Sequence, residues 1–243
     1  MKISRRVALM IHFLLDEWVP PILRDQKWFM WPPFKAVFKS KAHIFFNYKN
    51  IALQISEEDV CQIYEETSDV HIQRETDLGN KCIAEIEKNI LGEKILEAGC
   101  GRGYLANILS KKYEVTACDM LISQQMVQRY SNIRFKQENI QNLSFRNYEF
   151  DTVICTHTLE HVQNIANAIK ELRRVTKKRL IVVVPKQRPY MFTFDLHLHF
   201  FPYAYMLLNW MRPTNETAKQ ELKEMQGDWY YQEDKSVGLT GPG

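Results

Sequence analysis

Apolar residues recur along this chain with two different spacings, and the alternation between them predicts the fold. Ile165, Ala168, Ile169, Leu172 and Val175 repeat at three and four residues, the signature of one helical face. Ile83, Ile86 and Ile90 do the same in a helix predicted from about Leu78 to Ile90 and stopped by Gly92. Leu180–Val184 is instead a continuous apolar run, as expected of a strand buried on both faces. Between these lie a strand at Lys94–Ala98, a helix at Tyr104–Lys111 and a strand at Glu114–Cys118. A helix at Ser123–Tyr130, N-capped by Ser123, and strands at Ile133–Lys136 and Asp151–Cys155 complete the series. Strands alternating with short helices predict an α/β fold with a doubly wound, mostly parallel, Rossmann-like sheet.

The flanks read differently. Val7–Trp18 predicts a short helix ended by Pro20-Pro21, and Trp31-Pro32-Pro33 predicts a turn or extended piece. Ser56 with Asp59 forms a capping-box start for a helix to about Thr67. After Pro185, Phe192–Phe201 alternates as an extended segment would. Tyr203–Met211 reads as a helix, Thr214–Gln226 as a charged, solvated helix, and Trp229–Glu233 as one last strand. The tail Ser236–Gly243 is expected to fray. This divides the chain into an amino-terminal helical cap (1–78), a Rossmann-like core (79–186) and a carboxy-terminal helical insertion with the last strand and tail (187–243).

Composition narrows the class. Hydrophobic residues at 45% and charged residues at 25% are those of a globular protein, which excludes intrinsic disorder. A net charge of +3 gives no reason to expect a nucleic-acid partner. The charge is unevenly placed. Residues 1–50 hold nine Lys/Arg against three acids, a surplus of six, which leaves the rest of the chain at −3. Nine aromatics from Trp18 to Tyr48 sit among those basic residues. Three readings follow: a lid over a substrate pocket, an interfacial segment that gives peripheral membrane contact, or, with least weight, a nucleic-acid surface; the first two are compatible. Five cysteines, an odd number with no CxxC pair, fit a reducing cytoplasm better than a disulfide framework or a zinc site. No apolar run approaches the ~20 residues that span a bilayer, and the Lys/Arg-led amino terminus has no small-residue cleavage site after it, so secretion is not expected.

The chemistry concentrates at Ile95-Leu96-Glu97-Ala98-Gly99-Cys100-Gly101-Arg102-Gly103, which closes the first core strand and opens the next helix. Glycines there permit a sharp turn and close approach of a ligand. The spacing is G-x-G-x-G, and Tyr104 stands where a dinucleotide fingerprint has its third glycine. Asp119 ends the second strand, 20 residues after Gly99. Four further blocks follow in order: Gln137–Phe145, Phe150–Cys155, Thr156–Val162 and Ile169–Pro185. Together these motifs, over about 105 residues, resemble the class I S-adenosylmethionine (SAM) dependent methyltransferases.

The resemblance implies SAM as cofactor and methyl transfer to an oxygen, or less readily a nitrogen or carbon, of a small or amphipathic acceptor. A lipid-linked glycan or a quinone-like lipid fits the aromatic, basic amino terminus. A non-catalytic SAM-fold binding protein is the alternative. The resemblance also implies that Glu97 fixes the glycine loop near the methionine end of SAM, and that Ala98, Gly99, Cys100 and Gly101 line the methionyl and ribose part. Asp119 then accepts from the ribose hydroxyls, Met120 packs on adenine with Asn139 and Ile140 near the base, and Cys155 and Thr156 flank the sulfonium. Asn139 stands where the family usually has Asp, and Lys177-Lys178-Arg179 replaces its usual Pro-Gly-Gly. Only one strand is predicted after Pro185, where the family usually has a hairpin.

His157, His197 and His199 are the general-base candidates, because a neutral imidazole suits proton removal near pH 7. His157, Glu160 and His161 are spaced to share one helical face, and Asp195, His197 and His199 to share one side of an extended segment. No metal is assigned to them.

Overall fold

The computed structural model describes residues 10, 13–68 and 75–236. They fall into two compact units. One holds the described residues before 75 together with Gln187–Pro202; the other holds Glu75–Lys186 and the chain from Tyr203 onward.

The second unit is built on a seven-stranded sheet. Its strands are β1 (Lys94–Ala98), β2 (Glu114–Asp119), β3 (Arg134–Gln137), β4 (Phe150–Thr156), β5 (Thr176–Pro185), β6 (Thr217–Met225) and β7 (Asp228–Lys235). They lie in the order β3-β2-β1-β4-β5-β7-β6. The first five are parallel, whereas β7 runs antiparallel to β5 and to β6. The expected doubly wound sheet is therefore present, and its far edge is a complete hairpin.

That hairpin corrects two expectations. Thr214–Gln226 does not form a solvated helix; Thr217–Met225 pairs along β7 as the edge strand. Lys, Gln, Glu, Leu and Met favour helix only weakly, by tenths of a kcal/mol each. The turn at Gln226-Gly227, with φ of 55° and 91°, has the left-handed pair that a two-residue hairpin needs and outweighs that preference. The strand β7 is largely buried although five of its eight residues are polar or charged. Arg173 meets this with a two-pronged contact to Glu233 (2.8 and 2.7 Å), and Tyr231 Oη donates to the same carboxylate at 2.8 Å. Arg179 grips Asp234 in the same way at 2.6 and 2.9 Å.

In this unit α5 (Asn80–Lys88), α6 (Tyr104–Leu109) and α7 (Gln124–Arg129) share one apolar core with the strands, through Cys82, Ile86, Leu105, Leu109, Ile95 and Ile154. Ser123 caps α7 by accepting from the Met126 amide, as expected. The helix α8 (Ile165–Val175) packs on β4 and β5, with all five of its periodic apolar residues buried. It passes into β5 without a loop, since Thr176 is already extended, and Leu180–Val184 is fully buried. A short helix, α9 (Ala204–Trp210), follows the return from the other unit.

The first unit is aromatic. It contains α1 (Pro21–Arg24), α2 (Lys27–Phe38), α3 (Ala42–Ile51) and α4 (Glu57–Thr67). The capping box of α4 is present, with Ser56 and Asp59 each accepting the other's backbone amide. Trp31-Pro32-Pro33 is not a turn; it lies inside α2. Each interior proline costs about 3 kcal/mol. Burial of Met30, Phe34 and Phe38 on one side of α2 contributes about 1.5–3 kcal/mol apiece, enough to offset them. Phe38 stacks on Phe45 and Phe46 on Phe192 at 3.8 and 4.0 Å between ring centres. Phe192–Phe201 contains no strand; it threads this core as turns, burying Phe192, Leu196 and Phe201. Of the helix expected at Val7–Trp18, the part before residue 13 lies almost wholly outside the described residues, and Leu14–Trp18 is one π-helical turn. The tail beyond Ser236 also lies outside them.

Replacing Arg173 with Ala leaves the Glu233 carboxylate buried without its guanidinium. This is expected to cost about 3–5 kcal/mol in a urea unfolding titration. A loss below 1 kcal/mol shows that the pair contributes nothing net.

Candidate functional site

The parallel register builds a single row at the carboxyl edge of the sheet. Ala98 pairs with Cys118 on one side and Cys155 on the other, so Gly99, Asp119 and Thr156 all emerge at the same level. The strand order reverses across β1 and β4, and that is where an open α/β sheet leaves a crevice.

The glycine loop is tied down across this row. Gly99 and Cys100 both donate their amides to Cys118 O, at 2.8 and 3.0 Å. Gly101 N donates to Asp119 Oδ2 at 2.8 Å, and Leu121 N reaches Asp119 Oδ1 at 3.3 Å. Two glycines are required here. Gly99 has φ of +78°, and a Cβ on it would sit 2.1 Å from Thr158 Oγ1. Gly101 has φ of +51°, yet nothing lies within 4 Å of where its Cβ would be. The loop therefore presents an open backbone floor beside a carboxylate.

Around that floor the expected residues come together. Glu97 is buried and accepts from the Ala106 amide in the first turn of α6. Burial pushes its carboxyl up to about 8, and Asp119 adds to the shift. Its Oε2 has no hydrogen-bond partner among the described residues. Burial also raises the Asp119 carboxyl, against the pull of the Gly101, Leu121 and Met120 amides. Cys100 and Cys155 are buried thiols pushed far up by desolvation, so both stay neutral. Glu138 N donates to Asp119 O at 2.9 Å, which brings the end of β3 and the following Asn139 and Ile140 beside β2. Asn139 Oδ1 accepts from Gln141 N and Nε2 at 2.9 and 3.1 Å, while its Nδ2 is buried with no partner among the described residues.

The histidines part company. His157, Glu160 and His161 do not share a helix: the segment after β4 is a turn, opened by His157 at φ +49° with its amide donating to Val183 O at 2.9 Å. The turn still places His157 Nδ1 3.6 Å from Glu160 Oε1, and Nε2 lies 3.5 Å from Asp228 Oδ1. Burial opposes charging the ring, but Asp228 and then Glu160 outweigh it and push His157 up to about 9. Such an imidazole carries its proton at neutral pH. Asp228 opens β7 and was invisible to local pattern, because only strand pairing carries it to His157.

His197 and His199 belong to the other unit. Asp195, His197 and His199 do not line an extended segment; Asp195 Oδ1 accepts from His197 N at 3.3 Å and bends the chain. His197 Nδ1 lies 2.6 Å from Gln187 Oε1, and Gln187 Nε2 donates to Asp195 Oδ2 at 3.0 Å. Nearby Lys49 Nζ donates to Tyr190 O and Thr193 Oγ1 at 2.9 and 2.6 Å. Burial pulls this ammonium down to about 8 against Asp195 and Asp25.

This sheet order, with its glycine loop and strand-end carboxylate, defines the Rossmann-like methyltransferase class. Residues 96–184 match the family model described as a methyltransferase domain, and this part of the chain is similar to the class I SAM-dependent methyltransferases. An uncharacterized protein of Methanocaldococcus jannaschii is 38% identical over 96 residues, which are 37% of this chain and 40% of that protein. A ubiquinone biosynthesis O-methyltransferase of Acinetobacter baumannii is 29% identical over 107 residues, 39% of this chain and 44% of its own. The chain thus spans less than half the length of these curated relatives. A SAM-dependent methyltransferase of Thermotoga maritima shares the fold, with a TM-score of 0.52 at 18% identity over 74% of this chain and 98% of that one.

The folded pKa of His157 lies above its unfolded value of about 6.5. Its stabilising contribution is therefore full below pH 6.5 and lost as pH rises through about 9. Unfolding free energy should fall by on the order of 2–3 kcal/mol across that window. His157→Asn should flatten the fall; an unchanged profile in the variant removes His157 as its source.

Proposed function

We propose that the chain transfers a methyl group from SAM to an oxygen of a small, amphipathic acceptor, with a quinone-like or lipid-linked compound as the fitting class. The observation that carries the cofactor reading is the open floor over Gly101 beside the Asp119 carboxylate. The Asp119 carboxylate, held in place by backbone amides, keeps acceptor capacity for the ribose of SAM. Ala98, Gly99 and Cys100 continue the floor under the methionyl part. Glu97, with an unpartnered buried oxygen, suits the cationic methionine end. Met120 and Ile140 flank the base, the unpartnered Asn139 amide faces its polar edge, and Cys155 and Thr156 stand at the sulfonium.

Bound SAM supplies an electrophilic methyl. The protein's share is alignment of the acceptor oxygen with the S–CH3 bond, exclusion of water and removal of the acceptor's proton. His197 is one of three histidine candidates for the last task. Gln187 Oε1 holds the Nδ1 proton and orients the ring. His157, protonated between two carboxylates, instead anchors the end of β4. An oxygen acceptor agrees with the name of the Acinetobacter relative. Among the described residues no helix is long and apolar enough to cross a membrane.

Asp119→Ala should weaken S-adenosylhomocysteine binding in calorimetry by about 1.5–3 kcal/mol. Wild-type affinity in that variant takes Asp119 out of the site. With a quinol acceptor, His197→Gln should retain cofactor affinity and lose roughly 10²–10⁴ in kcat; unchanged turnover rules out His197 as the base.

A further inference from the structure

The helical unit leaves a large part of its aromatic content facing outward. Trp18, Ile22 and Trp28 are 73%, 75% and 68% exposed, and Trp31 is 39% exposed. On α2 the buried side is Met30, Phe34 and Phe38. Trp28, Trp31, Pro32 and Lys35 fall at i, i+3, i+4 and i+7, so one turn-by-turn stripe of the helix carries two tryptophans to the surface and ends on a lysine. Isolated exposed apolar residues are ordinary, but this is a contiguous stripe on a helix whose opposite side already fills a core.

The charges around the stripe identify its occupant. From Gln26 to Ser56 there is no acidic residue, while Lys27, Lys35, Lys39, Lys41 and Lys49 lie in that stretch. Lys49 is committed inward and Lys41 bonds the backbone of Glu66. Lys27, Lys35 and Lys39 remain exposed at the two ends of α2. An apolar stripe with tryptophans, flanked by lysines and free of acids, is complementary to the headgroup region of an anionic bilayer. Indole rings settle at the boundary of headgroup and acyl chain, and each nearby lysine adds electrostatic attraction. A second copy of the same stripe is a poorer fit, because it sets lysines against lysines.

We infer that the Trp28–Lys35 face of α2 docks the protein on anionic lipid bilayers. The inference deepens the reading of the acceptor as amphipathic and does not depend on methyl transfer.

The test is flotation of the full chain with phosphatidylcholine vesicles, with and without phosphatidylglycerol, alongside calorimetry with S-adenosylhomocysteine. Wild type should float with the anionic vesicles, at least about tenfold more than with phosphatidylcholine alone, and release in high salt. Trp28→Ser with Trp31→Ser should lose flotation about tenfold or more. Lys27, Lys35 and Lys39 changed together to Glu should abolish the preference for anionic lipid. Both variants change exposed side chains and should bind S-adenosylhomocysteine as wild type does, which shows that they are folded. Wild type that binds the nucleoside but floats with no vesicle overturns the inference and leaves the cofactor reading standing. Wild type that is dimeric in ultracentrifugation and becomes monomeric on the tryptophan changes, without flotation, also overturns it and makes the face an interface between copies.

Discussion

Ala98 is hydrogen-bonded into the sheet from both sides, and the rest of the site follows from that register. With Cys118 and Cys155 locked level with it, three strand ends stop together and three loops start together. The glycine loop then closes its amides onto Cys118 O and Asp119 instead of onto itself. A shift of one residue in either pairing would turn Glu97 out of the core and carry Asp119 away from Gly101. The open floor is a consequence of pairing geometry, and the glycines only permit it.

The elements that were legible in sequence are those decided within a short window. The five periodic apolar residues of α8, the uniform run of β5, the Ser123 cap and the Ser56–Asp59 box all appear where local pattern places them. The glycine loop and Asp119 were legible for the same reason. What failed was decided at a distance. The β6 sequence favours helix, but a left-handed pair at Gln226-Gly227 and the waiting edge of β7 make it a strand. Pro32 and Pro33 should end a helix, yet aromatic burial holds them inside one. The spacing of His157, Glu160 and His161 suggested a helical face, but a positive φ at His157 begins a turn, and its strongest partner, Asp228, is supplied by β7.

The strand β7 also shows how a sheet of this kind accepts charge in its interior. Glu233 and Asp234 each face a guanidinium fork, and Tyr231 adds a third donor to Glu233. Both arginines come from the α8–β5 junction, where the chain passes from helix to strand with no loop between. The ion pairs thus staple the hairpin to the helix that precedes its neighbour. Loss of either partner exposes the other's desolvation in full, so the junction tolerates little change in its basic residues.

The helical unit is sewn from two pieces of chain that lie far apart in sequence: Lys49 bonds the carbonyl of Tyr190 across 141 positions, and Phe192 stacks on Phe46. On the ribosome its helices emerge first, yet their aromatic core stays incomplete until roughly the two-hundredth residue has left the exit tunnel. During that interval Phe38, Phe45 and Phe46 wait without Phe192 and Leu196, and the intervening sheet must be synthesised through its fifth strand. Non-local closure of this kind is slow, and the waiting surface is adhesive. Nascent chains therefore carry an aggregation hazard in these helices until Phe192 and Leu196 have been added.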